Sequence, residues 1–156
     1  MIGDTPERIR RQIGPALDAG IEAGLRMAIV SAPTHKEAVS LARSLVAGLD
    51  RDRQNEQQYV RGSDSVSLRA VHNVEGEWLT PYLWNGAVRS IGGTAIALVG
   101  SPAEIASAIM EYRSVGITQF IFSGWPKLDA MKFFGEEILP LIRIKEQSSE
   151  RVFGLN

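Results

Sequence analysis

An α/β fold with an unfinished parallel sheet is predicted by three observations. Helical and strand patterns alternate along the chain, which argues for strand–helix units and a parallel sheet. Three helix starts carry one signature: Asp4 with Glu7, Thr34 with Glu37, and Ser101 with Glu104. In each, a side-chain oxygen can accept an unpaired backbone N–H and an acid sits at the positive helix end. Only two segments, residues 25–30 and 117–123, read as strong strands. A two-stranded parallel sheet leaves both edges open, and parallel sheets are stable when covered on both faces. The pattern therefore implies that strands are missing.

The elements follow in order. The helix after Asp4 carries Ile9, Ile13 and Leu17 and fades toward Gly20 and Gly24. Pro15 is expected to kink or divide it, because proline lacks the N–H and crowds the preceding turn. Residues 25–30 are mostly apolar and read as a buried strand. A helix over 34–48 places Ala38, Leu41, Ala42, Leu45 and Leu49 near one face. Residues 50–65 are polar and weakly patterned, as a helix extension or a loop. Residues 68–100 are rich in glycine and aromatics and form a long excursion, which in a compact domain is usually functional or mobile.

Pro102 suits the first position of a helix over 102–115, where its missing N–H costs nothing, and Gly116 suits the left-handed cap. Phe120, Ile121 and Phe122 mark the second strand. A last amphipathic helix over 127–142 carries Leu128, Met131, Phe134, Ile138 and Leu141. The polar tail after Arg143 is expected to fray.

Composition narrows the function classes. The chain is 44% hydrophobic and 22% charged, enough for a packed core. A formal net charge of −1 gives no electrostatic case for nucleic acid. The absence of cysteine excludes disulfides and thiolate metal sites, and with only His35 and His72 no metal site is expected. Asp4, Glu7, Arg8, Arg10 and Arg11 interrupt any amino-terminal signal sequence. No segment approaches the ~20 apolar residues of a membrane span. A soluble cytoplasmic protein is expected, without membrane or nucleic-acid partners.

The sharpest motifs run from Thr80 to Pro126. They are Thr80-Pro81-Tyr82-Leu83-Trp84-Asn85-Gly86, Val88-Arg89 with Gly92-Gly93-Thr94, and Ala97-Leu98-Val99-Gly100-Ser101-Pro102. Glu111-Tyr112-Arg113-Ser114-Val115-Gly116-Ile117 and Ser123-Gly124-Trp125-Pro126 follow. Upstream stand Gly3-Asp4-Thr5-Pro6-Glu7, Asp64-Ser65-Val66 and Ala70-Val71-His72-Asn73. Each is weak alone. In this order and spacing, over essentially residues 2–143, they resemble the bacterial luciferase-like flavin monooxygenases, specifically the alkanesulfonate monooxygenase branch.

That resemblance implies a (β/α)8 barrel with an inserted lid, of which this chain is the carboxyl-terminal part. Residues 1–2 then fall at the end of the sixth strand, 25–30 become the seventh, and 118–123 the eighth. Residues 1–143 form an incomplete barrel domain, with 50–100 as the lid region and 144–156 as a polar tail. The implied chemistry is FMNH2-dependent desulfonation of a small organosulfonate by O2, giving an aldehyde and sulfite. An NAD(P)H-dependent FMN reductase supplies the reduced FMN, and the complete enzyme is a homo-oligomer. Barrel sites draw on several strand ends, so the isolated chain is expected to be inactive. Two alternatives stand beside this: a truncated, non-catalytic remnant or interaction domain, and a deazaflavin-dependent oxidoreductase of the same superfamily.

Three residues are the site candidates. Arg89 is the catalytic one, since the resemblance implies a sulfonate- or flavin-contacting arginine on the glycine-rich loop, and a guanidinium fork matches an oxyanion. In an ungapped count Ile91 holds the family position and Arg89 lies two residues earlier; the alternative is a solvated loop arginine. Arg26 and Trp125 are substrate- or flavin-binding candidates. Arg26 matches the arginine of an Arg-x-His pattern in which Ala28 replaces the histidine, and the alternative is an exposed strand start. Trp125 stands where relatives carry tyrosine; its indole is only a donor, and the alternative is a packing aromatic. His35, His72 and Asn73 read as surface residues, and Phe120, Phe122, Phe133 and Phe134 as core. Gly92-Gly93 lacks the Gly-Lys-Ser/Thr that would make it a phosphate loop.

Overall fold

The computed structural model describes residues 1, 3–47, 76–88 and 95–153. The expectations for residues 50–65, His72, Asn73, Arg89 and Gly92-Gly93 lie outside the described residues.

The first helix, α1 (Pro6–Asp18), is capped by Thr5 and not by Asp4. Pro6 takes the first helical position, which moves the cap to the residue before it. Thr5 Oγ1 accepts from the Arg8 amide at 3.4 Å. Asp4 instead fixes the preceding turn, accepting from the Thr5 amide at 2.7 Å and from the Arg8 guanidinium at 3.5 Å. Pro15 does not divide the helix. Ile9 and Ile13 hold the helix on the core.

Strand β1 (Ala23–Ser31) leads to α2 (His35–Val46), and β2 (Leu83–Trp84) and β3 (Ala97–Gly100) follow. Then come α3 (Pro102–Ser114), β4 (Ile117–Ser123) and α4 (Lys127–Phe133), a π-helical turn (Phe134–Ile138) and α5 (Leu139–Phe153). Both further capping boxes are present. Thr34 N donates to Glu37 Oε2 at 3.0 Å, and Ser101 N donates to Glu104 Oε2 at 2.8 Å. Gly116 closes α3 at φ 109°, a conformation that favours glycine.

The sheet order is β2-β3-β1-β4. β1 pairs in parallel with β3 on one side and β4 on the other, and β2 runs antiparallel to β3. β2 and β3 stand outside the two strong strands expected from sequence, and β3 is more than the end of an excursion. It is a four-residue apolar run, too short for periodicity to separate from a loop. Met1 and Gly3 bracket Arg26 in a parallel bonding pattern. Arg26 N donates to the Met1 carbonyl at 2.8 Å, and Gly3 N donates to the Arg26 carbonyl at 2.9 Å. Met1 and Gly3, β1 and β4 thus lie side by side in chain order, as expected for successive barrel strands.

Alternation along β1 separates two layers. Leu25, Met27 and Ile29 pack with Ile9 and Ile13 of α1, Ile105 and Ile109 of α3, and Ile138 and Ile142. Ala28 and Val30 face the other way, with Ala38 and Ala42 of α2, Trp84, Ala97 and Val99.

The final helix passes the expected end at Ile142 and continues to Phe153. Buried Ile142 anchors it, and Glu146 pairs with Arg113 of α3. Leu128 and Met131 were expected on the core face. They are 78% and 68% exposed, because the described residues offer nothing that covers them. No described helix is long and apolar enough to cross a membrane.

Candidate active site

In parallel sheets the ligand-binding end is the carboxyl end of the strands, where the strand–helix loops diverge. Here that end carries Ser31, Gly100 and Ser123-Gly124-Trp125. Gly124 is required by space: a Cβ there would lie 2.4 Å from Ala130 Cβ and 3.2 Å from the Ile29 carbonyl oxygen. The close approach seats α4 against the ends of β1 and β4. It also positions half-buried Trp125 over the Ala28 and Val30 layer.

A cavity of about 170 Å³ opens between these elements, lined by Ile29, Val30, Leu41, Trp125 and Phe133 among others. A second, of about 180 Å³, shares Ile29 and Ala130 with it and adds Phe122, Met131 and Phe134. Both walls are mainly apolar.

Arg26 is the fourth residue of β1 and is exposed. It is not at the strand's start. Alternation puts it on the same face as Ala28, and register sets it opposite Ile121, which is 66% exposed. Its guanidinium has no ion-pair partner among the described residues. Trp125 shares this face, nearer the carboxyl end. No hydrogen bond or ring contact joins Arg26 to Trp125, so one face holds both without linking them. Arg89 lies outside the described residues. Phe122 and Phe134 do pack against the core, their rings 5.3 Å apart.

Two features escaped sequence reading. Trp84 is 1% exposed, and its Nε1 has no hydrogen-bond partner among the described residues. His35 is not merely solvated: its Nδ1 lies 3.3 Å from Glu104 Oε2. Burial raises the pKa of Glu104. Hydrogen bonds from the Ser101 amide and hydroxyl and the charge of His35 outweigh it, leaving the carboxyl below its usual range. A groove of about 290 Å³ beside this pair is lined by His35, Tyr82, Glu104, Ser107 and Glu111. Tyr82 donates to Glu111, and burial together with that carboxylate pushes the phenol's pKa up. Among the described residues no cluster of three histidines or carboxylates could hold a metal ion.

Adjacent parallel strands in chain order, helix-bearing crossovers and a strand-end site define part of a (β/α)8 barrel. The luciferase-like monooxygenase family profile matches residues 2–119, and the chain belongs to that family. It is 36% identical over 130 residues to a sulfoquinovose monooxygenase of Agrobacterium fabrum (strain C58 / ATCC 33970), covering 79% of this chain and 34% of the relative. The chain therefore spans about a third of that relative's length.

Three solved structures share the fold at low identity. A riboflavin lyase, solved with modified FMN and riboflavin, superposes with a TM-score of 0.65 at 18% identity, covering 94% of this chain and 38% of its own. An EDTA monooxygenase from Chelativorans sp. BNC1 gives 0.56 at 16% identity, over 94% and 41%. A long-chain alkane monooxygenase gives 0.53 at 15% identity, over 90% and 33%. The fold is thus a partial barrel. Barrel helices pack outside the strands; α1 and α3 take that place, so the face bearing Arg26, Ala28 and Trp125 is the inner one, and α2 packs across it through Ala38 and Ala42.

The residues present fit part of a flavin site. A guanidinium with no ion-pair partner among the described residues suits a phosphate or sulfonate, and the Trp125 ring offers a flat apolar wall. Cavities of about 170 and 180 Å³ fall below the ~300–1,000 Å³ of small-molecule sites. The described residues therefore do not enclose such a ligand.

Proposed function

We propose that the chain is the carboxyl-terminal part of a reduced-FMN-dependent monooxygenase that removes sulfite from an organosulfonate. One observation carries this reading: the likeness to a sulfoquinovose monooxygenase extends over 79% of the chain. Arg26 supports it chemically, as a guanidinium on the inner barrel face, without an ion-pair partner among the described residues, that can grip a sulfonate bidentately. In balance, the sulfonate carbon becomes an aldehyde, sulfite leaves, and the second oxygen of O2 becomes water. Reduced FMN supplies the two electrons when bound, delivered by an NAD(P)H-dependent reductase. The residues of this chain orient the sulfonate and wall the site from water. A sulfonated sugar and a simple alkanesulfonate are the two substrates to compare.

The test joins this chain to the amino-terminal two thirds of the Agrobacterium relative. Sulfite release is then measured with sulfoquinovose and with octanesulfonate, in the presence of FMN, reductase and NADPH. Release from either substrate that falls sharply in Arg26→Ala supports the reading. A folded chimera that releases none from either, although the intact relative is active, overturns it.

A further inference from the structure

The face that α4 turns to solvent carries a pattern. Leu128, Met131 and Gly135 stand three and four residues apart, so they share one stripe of the helical segment that begins at Lys127. Leu128 and Met131 are largely exposed, and Gly135 is exposed beside them. The stripe ends where Ile138 turns into the core.

Gly135 has no explanation among the described residues. A Cβ there would meet nothing within 4 Å, and its φ is not positive. Glycine is, apart from proline, the poorest helix former, so its own chain gains nothing from it. What it offers is a flat surface that a second helix can approach closely. Gly14 of α1 is equally open. There, however, Arg10 and Arg11 one turn away are exposed and charged, and no apolar stripe leads to the glycine.

The charges around the stripe are divided along the helix. Lys127 and Lys132 come first, Glu136 and Glu137 after them, and all four are exposed. None has an ion-pair partner among the described residues. Asp129 lies off the stripe and lines the cavity beside Trp125. A basic half followed by an acidic half is self-complementary about a two-fold axis. An antiparallel second copy brings acid against base on both sides of the axis.

We propose that α4 and the π-helical turn form an interface with a second copy of this chain, the two helices running antiparallel about a two-fold axis. Met131 of each copy packs over Gly135 of the other, Leu128 closes the edge of the contact, and Lys132 lies beside Glu136 of the second copy. One helix pair buries little area, so the association is weak and reversible. The organosulfonate reading neither requires nor forbids it.

The test is sedimentation equilibrium of the full chain from micromolar to near-millimolar concentration. A monomer–dimer equilibrium is expected. Gly135→Leu fills space that is open in the single chain, so its thermal melt should be no lower, while dimerisation should weaken about tenfold through loss of the close central contact. Lys132→Glu should weaken dimerisation, and Lys132→Glu combined with Glu136→Lys should restore it. If Gly135→Leu does not fold, the charge reversal decides. A monomer throughout the range overturns the inference and leaves the stripe to the amino-terminal part of the barrel. Dimers that form equally well in Gly135→Leu, or a charge reversal that is not rescued, place the contact elsewhere and overturn it as well.

Discussion

Ser31 and Gly100 stand opposite each other at the carboxyl ends of β1 and β3, and the Ser31 hydroxyl donates to the Gly100 carbonyl at 2.8 Å. Just beyond them the chain enters α2 on one face of the sheet and α3 on the other. The bond therefore closes the point where two strand–helix crossovers part. Ser31→Ala removes the donor and leaves a partly buried carbonyl unmatched. A loss of about 1 kcal/mol is expected, read as a lower urea midpoint at unchanged slope. An unchanged midpoint would mean that water replaces the hydroxyl without cost.

Two glycines should respond in opposite directions to the same substitution. At Gly124 the added Cβ meets Ala130 at 2.4 Å, so Gly124→Ala should destabilise by about 1–3 kcal/mol and shift Trp125 emission as α4 moves. At Gly14, inside α1, a Cβ meets nothing within 4 Å. Gly14→Ala should stabilise by roughly 0.5–1 kcal/mol, because alanine is the better helix former and costs less unfolded-state entropy. Thermal melts of the pair decide; shifts of one sign in both would contradict the packing described here.

The buried tyrosine predicts alkaline sensitivity. Tyr112 donates to the Asp4 carbonyl at 2.6 Å, tying α3 to the turn before α1. Burial, then the charges of Tyr82, Asp4 and Glu111, raise its pKa, and that of Tyr82 is raised as well. A raised folded pKa gives stability that is complete below the unfolded value, about 10 for tyrosine, and is lost as pH climbs above it. Stability should therefore fall above about pH 10, and less steeply in Tyr112→Phe. That variant should itself lose about 1 kcal/mol at neutral pH. Identical alkaline profiles for the two proteins would assign the loss to other groups.

Acid should loosen the start of α3 by the converse route. The Glu104 pKa is held below its usual range, so its contribution is complete above the unfolded glutamate value and is lost as pH falls through the folded one. Its carboxylate is nearly half exposed, at 46%, so the effect is modest. Glu104→Gln should flatten the acid limb of the stability profile, measured by urea midpoints across the acid range. An unaltered limb would show that the capping box tolerates a neutral partner.

The isolated chain is expected not to turn over. The barrel mouth is incomplete, and the cavities at the strand ends are too small to enclose a flavin. Purified chain with reductase, FMN, NADPH and octanesulfonate should release no sulfite. Release above the reductase background would refute the geometric argument.

Much of this protein is determined by local chemistry and is legible in the chain. The capping boxes at Thr34 and Ser101 need only residues three apart. The left-handed cap needs only Gly116, and β1 and β4 announce themselves by runs of apolar residues. The family is legible for a similar reason, since its motifs are short and contiguous. Local reading also misplaced what a neighbour decides. Thr5 displaced Asp4 as the first cap because Pro6 follows it. Pro15 was tolerated because Ile9 and Ile13 are packed. The last helix outran Ile142 because Ile142 is buried and Glu146 meets Arg113. Only the tertiary structure could decide the strand order, the short β3, and the layer that each side chain of β1 enters. It alone shows Arg26 on the inner face and the Trp84 indole without an acceptor among the described residues. Those properties depend on contacts between residues as far apart as Ala28, Trp84 and Ser123, and no local pattern encodes which distant surfaces will meet.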